Sequence, residues 1–144
     1  MIYLLYGQPA SGKTTLGELL ASHLDTPFII DGDEFREMFT NKNYGKEGRE
    51  ENIRNANAVA TYLNKKSYPR GHVIVSLVYP YSHLRNELEE NNKGQVVEVL
   101  LKSDRELRKE YHVKNFEIGN PDHIMSTDQE VADSWNQLKD LLKI

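Results

Sequence analysis

Short, almost wholly apolar runs alternate along this chain with longer stretches in which apolar residues recur every three or four positions. The apolar runs are residues 2–6, Phe28-Ile29-Ile30, "HVIVSLVY" at 72–79 and "VVEVLL" at 96–101. Runs of this length, rich in β-branched residues and bounded by turn signals, predict buried strands. Separated by helical patterns, they predict a parallel sheet built from βαβ units. Helical spacing is seen in "KTTLGELLASHL" (Leu16, Leu19, Leu20, Leu24), in 50–65 (Ile53, Ala56, Ala60, Leu63) and in 81–91 (Leu84, Leu88). Ser103 and Glu106 suggest a capping box for a short helix near 104–111. Thr127 and Glu130 suggest another, opening a last helix with Val131, Trp135, Leu138 and Leu142 on one stripe. An α/β sandwich follows, with ligand loops at the carboxyl ends of its strands.

The first candidate chemistry lies between the first strand and the first helix. "GQPASGKT" places Gly7 four residues before Gly12-Lys13-Thr14, the G-x-x-x-x-G-K-T spacing of a phosphate-binding loop. Glycines let successive N–H groups curl towards anionic oxygens, and the following helix adds the positive end of its dipole. Lys13 would carry charge to the outer phosphates, and the Thr14 hydroxyl would join a magnesium shell. The expected ATP-binding set is therefore Gly7, Gln8, Pro9, Ala10, Ser11, Gly12, Lys13, Thr14 and Thr15, with Thr14 as the metal ligand. Gly17 costs its helix about 1 kcal/mol relative to alanine, which is tolerable in a packed helix.

The second informative stretch is "IIDGDEFR". It puts Asp31 at the carboxyl end of a buried strand, on the rim shared with the phosphate loop. A carboxylate there can hold magnesium indirectly, orient an acceptor hydroxyl, or take its proton during transfer. Asp33 reads as the cap of the following helix, and Arg36 lies where a guanidinium could grip an anionic acceptor. In "GREENIRN", Arg49 and Asn52 share a face near a helix start, adjacent to the Ile53/Ala56 core stripe. Taken alone, an arginine among Glu50, Glu51 and Arg54 is ordinarily a solvated charge.

Composition narrows the partners. The chain has 144 residues and a net charge of −4, which argues against general nucleic-acid binding. Anion binding must come from a few cations focused in one cleft. The absence of cysteine removes disulfides, thiolate zinc sites and cysteine nucleophiles, and the five histidines show no metal-ligand spacing. No stretch approaches membrane-spanning length, so a cytoplasmic location is expected. No N-K-x-D guanine-reading element follows a strand.

The stretches "GQPASGKTT", "DGDEFR", "REENIRN", "VSLVYPY" and "VKNF" together resemble the adenylylsulfate kinase family, in order and spacing from residue 2 to about 126. The resemblance implies one phosphate-loop kinase domain over 1–144, a three-layer sandwich around a mainly parallel sheet of four to five strands. It also implies ATP with Mg2+ as phosphoryl donor and adenylylsulfate as acceptor, and it allows a homodimer. In that family Lys13 and Asp31 would be catalytic, Asp31 assisting the acceptor 3′-hydroxyl. Arg36, Arg49 and Asn52 would hold the sulfate–phosphate end, the Phe116 ring would stack on the adenine, and Lys114 would join the substrate-binding set.

The chain departs from the family at three places. Position 46 carries lysine where the family has a stacking aromatic, with Tyr44 on the other side of Gly45. Tyr79 replaces a serine. The lid is shortened to about 103–120, with Tyr111 at an arginine position and Arg105, Arg108 and Lys109 close by. The competing acceptors are a sugar, an antibiotic, a nucleoside or a polynucleotide 5′-hydroxyl. A nucleotide-binding module without transfer activity is the reading from another class.

Overall fold

The computed structural model describes residues 1–105 and 109–144. Five strands form one all-parallel sheet in the order β2-β3-β1-β4-β5, with β1 Ile2–Tyr6, β2 Ile29–Asp31, β3 Val73–Leu77, β4 Val96–Lys102 and β5 His123–Ser126. The helices are α1 Lys13–His23, α2 Gly32–Met38, α3 Lys46–Ser67, α4 Ser82–Asn91 and α5 Val131–Leu142.

Alternation along β1 creates the layers. Ile2, Leu4 and Tyr6 point into a core shared with Ile53, Ala56 and Ala60 of α3 and Leu84 and Leu88 of α4. Tyr3 and Leu5 point the other way, towards Leu16 and Leu20 of α1 and Leu138 of α5. All five β1 residues are buried, as expected of a central strand covered on both faces. Among the described residues no helix is long and apolar enough to cross a membrane.

The structure differs from the sequence expectations in several places. Five strands fall within the expected four to five, but β5 is not among the apolar runs; only Met125 of its four residues is buried, because it is an edge strand. α3 begins at Lys46, a full turn before the expected start, because its first turn is charged and solvated while Gly48 packs on the preceding loop. A Cβ on Gly48 would sit 1.9 Å from the Asn43 carbonyl oxygen. The N-cap of α2 is Asp31, whose Oδ1 accepts the Asp33 N–H at 3.1 Å; Asp33 is not the cap. The Thr127–Glu130 capping box is not formed: Glu130 is the N-cap of α5 without a side-chain bond, and the Thr127 hydroxyl is used elsewhere. Glu106 and Arg108 lie outside the described residues; a short 3-10 turn covers Lys109–Tyr111.

Candidate active site

The loop from β1 to α1 owes its path to two glycines. A Cβ on Gly7 would lie 2.4 Å from the Leu101 carbonyl oxygen of neighbouring β4, and Gly12 has φ 92° at the start of α1. Ala10 also has positive φ, at 64°. The Lys13 ammonium donates to the Gln8 carbonyl at 2.8 Å and to Ser11 Oγ at 3.2 Å, so its charge lies along the loop. The buried Thr127 hydroxyl donates to the Ser11 carbonyl at 2.8 Å and fastens the loop to the start of the final segment.

Parallel order brings the second strand end to this loop. Asp31 is in register with Ser76 of β3, and β3 pairs with β1. The Thr14 hydroxyl donates to Asp31 Oδ2 at 2.7 Å. Ser76 Oγ donates to the Lys13 carbonyl at 3.2 Å, and a Cβ on Gly17 would lie 2.5 Å from that oxygen. Glycine inside α1 is thus required by close approach of helix to sheet, which outweighs its propensity cost.

A cavity of about 930 Å³ opens above these strand ends. Of the expected nucleotide-binding residues, Pro9, Ala10, Gly12, Lys13, Thr14 and Thr15 line it, while Gly7, Gln8 and Ser11 shape the loop behind. Asp31, Arg36, Arg49 and Asn52 line the same cavity. Arg36 donates to the Asn43 carbonyl at 2.9 Å and lies 4.3 Å over the Tyr44 ring. Arg49 donates through Nε to Tyr81 Oη at 3.1 Å and through Nη1 to the Tyr44 carbonyl at 2.8 Å. Asn52 is buried, and its Oδ1 has no hydrogen-bond partner among the described residues. A buried carbonyl oxygen without a donor is costly, so this one is available to a ligand group that brings a donor.

Lys114 shares a cavity with Arg49 alone of that group, and Phe116 is placed apart from it. Lys114 lines a second cavity of about 550 Å³, together with Lys46, Arg49, Tyr81, His112 and Glu117. Phe116 lines neither cavity; its ring stacks on Tyr6, centroids 6.2 Å apart and planes within 8°. Tyr6 is fully buried, its hydroxyl donates to the Ile118 carbonyl at 2.7 Å, and burial raises its pKa to about 12.

Three further residues have work that the sequence did not assign to them, although Arg85 stands at a position preserved from the family pattern and Tyr79 at a departure from it. Arg85 is buried and donates to the carbonyls of Tyr79 at 2.6 Å and Glu117 at 2.5 Å, with Glu98 Oε1 3.6 Å from Nε. It fixes the far end of the lid to the end of β3. Tyr79, at φ 54°, is buried with its hydroxyl donating to Asn57 Oδ1. Burial pushes its pKa far above the ordinary phenol range, and its hydroxyl is committed to Asn57 in the core. Arg105 lines the main cavity and donates to the Thr127 carbonyl at 2.6 Å. Its only sequence signal was its place among lid cations.

The comparisons with known proteins fit this geometry. A family model described as "Adenylylsulphate kinase" matches residues 1–118. The chain belongs to the adenylylsulfate kinase family. Among solved structures, a Mycobacterium tuberculosis APS kinase in complex with AMPPNP and APS is 20% identical, with TM-score 0.78 over 99% of this chain and 97% of that one. A Sinorhizobium meliloti gluconokinase is 18% identical, with TM-score 0.69 over 98% and 90%. An Aquifex aeolicus shikimate kinase is 19% identical, with TM-score 0.66 over 99% and 96%. No curated protein sequence matches. The chain is a phosphate-loop kinase, a phosphotransferase with a hydroxyl acceptor.

Proposed function

We propose that this kinase transfers the γ-phosphoryl group of ATP to the 3′-hydroxyl of adenylylsulfate, releasing ADP and 3′-phosphoadenylylsulfate. The observation that carries it is the meeting of Thr14 and Asp31 at 2.7 Å, beneath a cavity walled by Arg36, Arg49 and Asn52. Support comes from the family match and from a fold neighbour that binds AMPPNP and APS.

The residues fit a magnesium ion. Thr14 and Asp31 bring a hydroxyl and a carboxylate oxygen to one point, and oxygen donors are what Mg2+ takes, usually keeping several waters. When bound, the ion supplies neutralisation of charge on the β- and γ-phosphates. Lys13 turns its ammonium from the loop carbonyl to those phosphates, and the loop N–H groups cradle them. Asp31 orients the acceptor hydroxyl and takes its proton as that oxygen bonds to phosphorus and the bond to ADP breaks. Arg36 and Arg49 grip the acceptor's anionic end, where charge-assisted bonds are strongest.

A second reading, a different hydroxyl acceptor on the same scaffold, is favoured by one feature. Phe116 lies on Tyr6 and lines neither cavity, and position 46 carries lysine, so neither ring that the family resemblance implies is offered to the adenine. Gluconokinase and shikimate kinase share the fold. The test is ADP release with Mg-ATP and adenylylsulfate, adenosine, gluconate, shikimate or a 5′-hydroxyl oligonucleotide under equal conditions. Preference for adenylylsulfate supports the proposal. Efficient use of another acceptor with adenylylsulfate inert overturns it.

A further inference from the structure

Gln8 holds two parts of the site at once. Its side-chain Nε2 donates to the Val113 carbonyl at 2.9 Å, and its Oε1 accepts the Val113 N–H at 2.8 Å. One side chain thereby satisfies both backbone groups of a residue 105 positions away, as a neighbouring strand would. Its main-chain carbonyl meanwhile accepts the Lys13 ammonium at 2.8 Å and the Ser11 N–H at 3.2 Å. Gln8 therefore touches the phosphate-gripping lysine on one side and the lid on the other.

The far end of the lid is anchored separately. Tyr6 holds the Ile118 carbonyl, Arg85 holds that of Glu117, and the Glu117 N–H donates to the Pro80 carbonyl at 2.9 Å. Between the 3-10 turn and β5 the chain has neither helix nor strand, so its backbone depends on such ties. His112 and Val113 line both cavities, and Lys114 lines the second. Whatever fixes Gln8 also fixes the wall that the two cavities share.

We propose that Gln8 is a positioning residue that couples nucleotide occupancy of the phosphate loop to the order of lid residues 112–114. Phosphates that draw Lys13 off the Gln8 carbonyl and order the loop N–H groups set the Gln8 backbone in one arrangement. The side-chain amide transmits that arrangement to Val113. By linkage, an acceptor that orders Val113 tightens nucleotide binding by the same factor, and couplings of this kind are about 5–150-fold. The proposal rests on the assignment of the loop to ATP, but not on the identity of the acceptor.

Backbone amide hydrogen exchange of the full chain, with and without saturating AMPPNP and magnesium, tests it. In the wild type, AMPPNP should slow exchange at Val113 by about tenfold. In Gln8→Leu, at AMPPNP concentrations that saturate that protein, Val113 exchange should not respond. Gln8→Glu keeps an acceptor for the Val113 N–H but no donor for its carbonyl, and should show a reduced response; it serves if the leucine variant does not fold. Both variants should also hydrolyse more ATP per acceptor phosphorylated, a readout that a merely structural role would leave in place. Equal nucleotide-dependent protection of Val113 in wild type and variants overturns the coupling. Absence of AMPPNP protection at loop amides 11–15 of the wild type overturns the assignment beneath it.

Discussion

Thr14 and Asp31, seventeen residues apart and on different elements, meet through a 2.7 Å hydrogen bond from hydroxyl to carboxylate. One belongs to the loop that cradles phosphates, the other ends the strand two places along the sheet. Asp31 has its second oxygen on the Asp33 N–H, so the carboxylate is held from both sides. Such fixing is what the proposed role, orienting an acceptor hydroxyl, requires. Asp31→Asn should lower kcat by about 10²–10⁴-fold, with a smaller change in the KM for ATP. Thr14→Ala should give a smaller loss that added magnesium partly restores. Steady-state kinetics across magnesium concentrations separates the two. A variant Asp31→Asn that merely raised the ATP KM would remove the carboxylate from the chemistry.

Arg49 reaches the main cavity and the second one, and is aimed by Tyr81 at 3.1 Å and the Tyr44 carbonyl at 2.8 Å. Arg49→Ala should raise the acceptor KM by an amount worth about 1.5–3 kcal/mol, the range for hydrogen bonds to charged groups. Tyr81→Phe keeps the guanidinium and loses one aiming bond, so its effect should be smaller and in the same direction. Initial rates at varied acceptor and fixed ATP check both. An Arg49→Ala effect confined to the ATP constant would contradict the assignment.

Lys46 stands on the rim of the second cavity, 5.8 Å from the Tyr81 ring and 4.0 Å from Glu50. Its side chain is 70% exposed, so that ion pair contributes little to stability. Lys46→Phe should therefore fold normally and offer a flat face to a base. Stacking on an aromatic ring is worth about 1–3 kcal/mol per base. The adenylylsulfate KM should fall by about tenfold, within that range. An unchanged or raised constant in the same assay would show that the second cavity does not receive the adenine.

Much of this was legible before the fold. Four apolar runs gave four strands because buried parallel strands need apolar residues on both faces. The place of the glycine loop between β1 and α1, and of Asp31 at the end of β2, followed from spacing and from the strand-end rule. What stayed hidden depends on tertiary contact. β5 buries one residue of four and leaves almost no hydrophobic signal. Thr127 looks like a helix cap in sequence and is instead a clasp on Ser11. Gly17 looks like a flaw until Ser76 is seen against it. Phe116 matches a family motif, but its ring lies on Tyr6, and no local pattern reports which neighbour a ring chooses. The Gln8–Val113 pairing spans 105 positions and leaves no local trace.

Glu117 closes the lid on α4: its Oε1 accepts the Ser82 N–H at 2.8 Å and the Ser82 hydroxyl at 3.2 Å. The Ser82 backbone bond, above all, holds its pKa below the ordinary 4.5. A depressed folded value means the contribution is present above the unfolded pKa and lost as pH falls through the folded one. The exchange protection of Ser82 should therefore weaken on acidification below 4.5, and Glu117→Gln should flatten that dependence. Protection that strengthens on acidification would reverse the sign and refute the tie.

The central claim is that the loop and the strand-end carboxylate serve one transfer to one hydroxyl. The most direct measurement is a single turnover with γ-labelled ATP, magnesium and adenylylsulfate, followed by identification of the atom that carries the label. The account predicts label on the 3′-oxygen of adenylylsulfate, lost in Asp31→Asn and in Lys13→Ala. Label recovered only as free phosphate, with other hydroxyl acceptors phosphorylated at full rate, would contradict it.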